Sequence, residues 1–233
     1  MNKRQFICVS LLFMFAAAGC ERPQTGDSRA DLALQAFNTI VKENSSRKSY
    51  HNQLKHWGLA LPGGDKFEWI KDASANKIDF AMVLEAAPFI KAGLDVNLLA
   101  GTSYVFKPAA TEQGKIVPDL LIYPFNVSDR KEIAQGSEDA MRRLLKQDPS
   151  LVGYDPEGKY YSLKFQEGFE ARWAEQPGSD KPEMVFVIAA EPLIAAGLNV
   201  SGLASSGWEY QAPEGGRNGF AGPGRLIKEY SLK

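Results

Sequence analysis

Val83-Leu84-Glu85-Ala86-Ala87-Pro88-Phe89-Ile90-Lys91-Ala92-Gly93-Leu94-Asp95-Val96 aligns without a gap with Val187-Ile188-Ala189-Ala190-Glu191-Pro192-Leu193-Ile194-Ala195-Ala196-Gly197-Leu198-Asn199-Val200, at an offset of 104 residues. Across 80–100 and 184–204 there are 10 identities in 21 aligned positions, where unrelated sequences of average composition would share about one or two. The chain therefore reads as two copies of one unit. Outward from the core of the match, Trp69 falls on Trp173, Lys77 on Lys181, and Trp57, Leu59 and Leu61 on Tyr161, Leu163 and Phe165. Phe37, Ile40 and Val41 fall on Met141, Leu144 and Leu145. After a one-residue shift, Pro118, Leu121 and Ile122 fall on Pro223, Leu226 and Ile227. The boundaries that follow are 29–128 and 129–233, each unit the size of a small domain.

The residue periods predict an α+β fold with mainly antiparallel strands. Each unit begins with a helix: Leu34, Phe37, Ile40 and Val41 form an apolar stripe in the first, with Asp27 or Ser28 as cap, and Met141, Leu144 and Leu145 in the second, with Ser137 as cap. Trp57, Leu59 and Leu61 alternate as in a half-buried strand, Gly63-Gly64-Asp65 turns the chain into a second strand around Trp69, and Ile78 to Leu84 reads as a third. Pro88 suits the first turn of a short helix and Gly93 the left-handed residue that ends it, and Pro192 and Gly197 repeat that punctuation. Strands at 104–106 and 120–125, matched by 208–210 and 226–230, complete each unit.

Ahead of the first unit, Met1-Asn2-Lys3-Arg4 precedes an apolar stretch from Phe6 to Ala18 and then Ala17-Ala18-Gly19-Cys20. Two cations, a short apolar core and small residues before a cysteine make an export signal, too short for a membrane span. The segment resembles a bacterial lipoprotein signal with its lipobox, although Ala17 stands where leucine is the commoner residue. The resemblance covers 1–20 and implies cleavage after Gly19 and acyl groups, palmitate among them, on Cys20. Residues 20–28, with Pro23 and Gly26, then read as the lipidated end and a flexible tether. Glu21 stands where an inner-membrane retention signal would have aspartate. The expected location is therefore the cell envelope: the outer membrane facing the periplasm in a Gram-negative cell, otherwise the outer face of the cytoplasmic membrane.

Removal of 1–19 would leave 25 basic and 28 acidic residues, a net charge of −3, scattered along the chain. That pattern lacks the basic stripe of a nucleic-acid binder. Cys8 would be removed and Cys20 acylated, which leaves no thiol for a disulfide, metal or nucleophile. Stability must come from an apolar core.

Chemical motifs are sparse. His51 and His56 stand five apart, without the further ligands a zinc site needs, so no metal and no cofactor is expected. No serine stands in a G-x-S-x-G frame. Gly63-Gly64 and Gly215-Gly216-Arg217-Asn218-Gly219 lack the lysine of a phosphate loop and read as turns or a surface loop. Comparison of the copies singles out groups present in one only: Glu85 faces Ala189, Asp95 faces Asn199, Lys91 faces Ala195 and His56 faces Tyr160. These are candidate acid–base groups, against the competing reading of exposed positions free to vary. Trp69 and Trp173, at equivalent places, are candidate platforms in a groove between the copies, against the competing reading of core aromatics. With Glu85 and Asp95 they form the candidate ligand set.

The expected role is a binding or scaffolding module held to the membrane by its lipid. A groove between the copies is its expected working surface, and an envelope protein or amphipathic ligand its partner. The alternatives are an envelope-acting hydrolase using Glu85 and His56, with Asp95 as a further acid or base, and a carrier of an amphipathic small molecule.

Overall fold

The structure is a computed structural model that describes residues 26–71, 78–112, 114–127, 133–213 and 223–233. The lipobox with Cys20, Lys77 and the 215–219 segment lie outside the described residues. Helix α1 (Gly26–Glu43) leads to strands β1 (Lys48–His51), β2 (His56–Ala60), β3 (Lys66–Ile70) and β4 (Phe80–Glu85), then short helix α2 (Ala87–Lys91), β5 (Val105–Lys107), β6 (Ala110–Glu112), β7 (Lys115–Val117) and β8 (Leu120–Phe125). Helix α3 (Ser137–Gln147) leads to β9 (Val152–Asp155), β10 (Tyr160–Lys164), β11 (Glu170–Ala174), β12 (Met184–Ala189), short helix α4 (Glu191–Ala195), β13 (Trp208–Gln211) and β14 (Arg225–Tyr230). The class is mixed α+β, with four α-helices among the described residues and antiparallel sheets.

Among the described residues there are two six-stranded sheets, ordered β1-β2-β3-β4-β8-β5 and β9-β10-β11-β12-β14-β13, and a separate two-stranded hairpin β6-β7. Counted from its own first strand, each large sheet has the same order: four meandering strands, then the sheet's last strand in the chain, then its fifth, with the β6–β7 hairpin inserted between those two in the first sheet. All pairings are antiparallel, and the registers match: Trp57 stands opposite Trp69, and Tyr161 opposite Trp173.

The sequence-predicted stripes are the buried faces. Phe37 and Ile40 of α1, and Met141, Leu144 and Leu145 of α3, are all buried. Helix α1 begins at Gly26, inside the stretch expected to be tether, so neither Asp27 nor Ser28 precedes it as a cap. Ser137 is likewise the first residue of α3 and Gly136 its cap, while Asp139 Oδ2 accepts a hydrogen bond at 3.0 Å from the Gln135 amide just ahead of the helix. Edge strands β1 and β9 carry no clear apolar alternation, which is why sequence periodicity passed over them.

The two sheets share one core. Their inner faces meet through ring contacts Phe67–Phe186 at 6.2 Å, Phe80–Phe165 at 6.0 Å and the parallel stack Tyr123–Phe169 at 3.5 Å. Helices cross between them: α1 lies along α3, β9 and β11, and α3 packs on β3. Phe37 makes this explicit, touching Phe67 and Trp69 of one sheet at 5.9 and 5.2 Å and Trp173 of the other at 5.5 Å. The indole Nε1 of Trp69 donates to Ser137 O at 3.0 Å, and that of Trp173 to Ala33 O at 2.9 Å.

At the opposite end of the strands the short helices meet. Asp95 N donates to Ala196 O and Asn199 N to Ala92 O, both at 2.8 Å. Gly93 and Gly197 have φ of 96° and 93°, and a Cβ on either would sit about 3 Å from the other's carbonyl oxygen. Only glycine meets both demands, a left-handed turn and a backbone approach this close.

Candidate functional site

The seam between the sheets does not hold a groove for the aromatic residues expected to line one. Trp69 and Trp173 are both 0 % exposed in the shared core, so their core reading is the one the structure gives and no ligand reaches them without unpacking the sheets. A surface furrow of about 670 Å³ does run between α1 and α3, lined by Asp31, Gln35, Asn38, Lys42, Glu138 and Arg142 among others. Its charges largely answer one another: Asp31 pairs with Lys146 at 2.9 Å and Glu138 with Arg142 at 2.8 Å.

A more enclosed space lies on the outer face of the first sheet. Alternation along β4 sends Phe80, Met82 and Leu84 into the main core and Ala81 and Val83 outward. With Leu120 of β8, Ala81 and Val83 form a second, smaller apolar cluster, against which Ile78, Val117 and Ile122 pack. These residues floor a cavity of about 620 Å³. Its walls are His51, Gln53 and Leu54 from β1 and the following turn, His56 of β2, Lys66 and Glu68 of β3, Lys107 of β5, and Glu112 of the β6–β7 hairpin. A smaller recess of about 280 Å³ shares His51, Gln53, Glu112 and Val117 with it.

Strand register positions each polar group. Glu68 stands opposite Gly58, diagonal to His56 across the β2–β3 pair. With no side chain on Gly58, the Glu68 carboxylate folds over to His56, and Oε2 lies 2.9 Å from Nδ1. The carboxylate accepts, so Nδ1 carries the proton. His56 is 7 % exposed, which makes the pair largely shielded from solvent. His51 plays a different part, in which its Nδ1 accepts from the Leu54 amide at 3.2 Å and closes the β1–β2 turn.

The hairpin is held over the floor at two points. Lys107 Nζ lies 2.7 Å from Glu112 Oε1, and Ala109 N donates to Asp119 Oδ1 at 2.7 Å. The Lys107 hydrogen bond, aided by the same positive charge, holds the Glu112 carboxyl below its ordinary range. Lys66 makes no ion pair among the described residues.

Of the predicted acid–base candidates, only His56 lies in this cavity. Glu85 stands at the far end of β4, beside Gly64, and is not among the lining residues. His56 is partnered by Glu68 instead, a residue sequence reading passed over. Asp95 caps the 3-10 turn Val96–Leu99, accepting from Asn97 N at 3.0 Å, and Asn199 does the same for Ser201 N at 3.1 Å. A carboxylate and an amide fill one capping role there, so the difference between Asp95 and Asn199 leaves that role unchanged. Lys66 and Glu68 alternate with buried Phe67 and Trp69, a period-two signal that would have placed them together on the outer face. Among the described residues no group of three or more His, Cys, Asp and Glu side chains is placed to hold a metal ion.

A second buried polar cluster joins the halves. Asp65, 1 % exposed, accepts from Lys228 Nζ at 2.7 Å, Tyr230 OH at 2.8 Å and Glu85 N at 2.8 Å. Burial first, then the Asp65 charge, pushes the Tyr230 hydroxyl pKa far up. All three acceptor contacts are internal, and the cluster acts as a rivet.

Compared with protein-family models, with curated proteins and with solved structures, the chain finds no match.

Proposed function

We propose that this chain is a lipid-anchored binding module of the cell envelope, that its body is a duplicated α+β unit, and that it takes its ligand in the cavity on the outer face of the first sheet. The observation that carries the binding reading is the cavity: an apolar floor of Ala81, Val83, Leu120 and Ile122, a polar wall, and a hairpin bridged across it. Sites of about 300–1,000 Å³ with apolar linings and a few placed polar groups are what small-molecule binding requires. Anchoring rests on Ala17-Ala18-Gly19-Cys20 and places the module beside a membrane, where amphipathic molecules are plentiful. This favours a carrier or sensor of such a molecule over a scaffold.

Duplication is supported by the sequence identities, by the matched strand orders, and by contacts that recur at the 104-residue offset, among them Trp69–Ser137 with Trp173–Ala33 and Asp95–Ala196 with Asn199–Ala92. On this reading every described residue that lines the cavity belongs to the first copy.

Native mass spectrometry of residues 21–233, exported and purified without detergent, tests the binding reading; every described helix and strand lies within that segment. A reproducible bound small molecule that disappears in Val83→Gln supports it. A clean apo mass, with no binding of added amphiphiles, overturns it. Palmitate labelling of the full chain, lost in Cys20→Ser, tests the anchor.

The second reading is an acid–base enzyme, and the His56–Glu68 pair at 2.9 Å is what favours it. Turnover of an envelope substrate that His56→Gln abolishes with the fold intact would establish it over the binding reading.

A further inference from the structure

Among the described residues four charged side chains line the cavity, and three of them are held in hydrogen bonds with a partner. Glu68 is bonded to His56 at 2.9 Å, and Lys107 and Glu112 bond each other at 2.7 Å. Lys66 remains without an ion pair among the described residues, although its charge acts on Glu112; the residue is intermediate in exposure and stands beside Val83, its partner across the β3–β4 pair. A cation in this setting is partly stripped of water and gains more from an anion than a surface lysine would.

The second sheet supplies an internal comparison. Glu170 there stands opposite Val187 as Lys66 stands opposite Val83, and Arg172 stands opposite Val185 as Glu68 stands opposite Ala81. Arg172 Nε lies 2.6 Å from Glu170 Oε2, so that face answers its own charges. Tyr160, in the place of His56, donates its hydroxyl to Pro182 O at 3.1 Å. On the first sheet the two signs are exchanged, His56 draws Glu68 aside, and the cation is left facing the apolar floor.

Resting on the binding reading above, we infer that the ligand is a single-chain anionic amphiphile, its apolar chain on Ala81, Val83, Leu120 and Ile122 and its anion on Lys66. A cation would be repelled by Lys66 and would offer it no partner. A neutral chain would leave the Lys66 ammonium unpaired under an apolar cover, which costs more than leaving it open to water. Two anionic head groups meet the requirement, the carboxylate of a free acid and the phosphate of a lysolipid, and Lys66 serves either as a point charge.

The test is isothermal titration of residues 21–233 with dodecanoate, dodecyl phosphate, dodecanol and dodecyltrimethylammonium below their micellar concentrations. Either anion should bind at least ten-fold more tightly than the alcohol or the cation, and the tighter of the two names the head group. Lys66→Met should remove that preference while leaving alcohol binding within two-fold, and Lys66→Arg should restore it. Hexanoate should bind much more weakly than dodecanoate, since chain contact supplies the rest. Equal binding of all four chains, or an anion preference unchanged in Lys66→Met, overturns the assignment of the anion and leaves the cavity as a binding site. Failure of all four chains to bind the folded protein overturns the cavity reading itself.

Discussion

At the scale of single residues, conformational strain sits at equivalent points of the two halves. Lys55 and Lys159, which close the β1–β2 and β9–β10 turns, have φ of 56° and 55°. An L-residue with a Cβ pays on the order of 1 kcal/mol for that left-handed conformation, and glycine avoids it. Lys55→Gly and Lys159→Gly should each leave stability unchanged or raise it by up to about 0.5 kcal/mol in urea unfolding, after the added entropy of the unfolded chain is subtracted. A loss of stability in both would show that the lysine stems provide packing that outweighs the strain. Neither position carried a sequence signal, because lysine in a turn looks like any solvated residue. Gly93 and Gly197 were legible for the opposite reason, since glycine directly after a short apolar helix marks the left-handed residue that ends it.

At the scale of elements, α1 does more than cover a sheet. Its Phe37 fills the space where Trp69, Trp173 and Phe67 converge, with edge-on ring contacts to all three. Phe37→Ala should cost about 3–5 kcal/mol, and near-ultraviolet circular dichroism should report loosening around both tryptophans together. A smaller change confined to one indole would mean that the sheets hold together without the helix. The β6–β7 hairpin is the weaker element, with exposed strands and few ties. Its Lys107–Glu112 pair is half open to water, so its strength is modest and salt-sensitive. The folded Glu112 pKa is depressed from an ordinary 4.5. The pair's contribution is therefore full above that value and is lost as the pH falls through the lower folded one. Amide protection factors at Thr111 and Ile116 should fall below about pH 4.5 while those of the β4 amides hold. A parallel fall in β4 would show that the hairpin opens only with the whole fold. Periodicity exposed α1 and α3 because a stripe buried on one side repeats every three to four residues. It passed over β6 and β7 because three-residue strands that bury little have no pattern to display.

At the scale of the whole molecule, the halves are joined by contacts that correspond in position and differ in chemistry. Asp65 meets Lys228 and Tyr230; at the matching positions Phe169 meets Tyr123, and Phe125 lies near Phe165. One side of the seam is a buried ion pair and the other an aromatic stack. Asp65→Phe alone should cost about 3–5 kcal/mol, because Lys228, Tyr230 and the Glu85 amide lose their acceptor inside the protein. Adding Lys228→Tyr and Tyr230→Phe copies the aromatic side and should recover at least half of that loss in thermal unfolding, as apolar replacements of buried pairs commonly do. Purely additive losses in the triple variant would mean that the two sides of the seam are not interchangeable.

The sequence by itself determined the two amphipathic helices, the central strands and the short Pro-to-Gly helices, which of their faces are apolar, and that two stretches of the chain follow one pattern, because those properties reside in short-range periods and turn chemistry. Tertiary structure alone decided that α1 and α3 cross to the other half's sheet, that Trp69 and Trp173 are sealed in a shared core, and that His56 pairs with Glu68 rather than serving beside Glu85. It alone brought Asp65 to Lys228, 163 residues away, and set Lys66 over an apolar floor. Each of these depends on which surfaces meet once the local elements exist. Apolar pattern marks a surface for burial, and only the packing of distant elements settles what buries it and which charges are left to face a cavity.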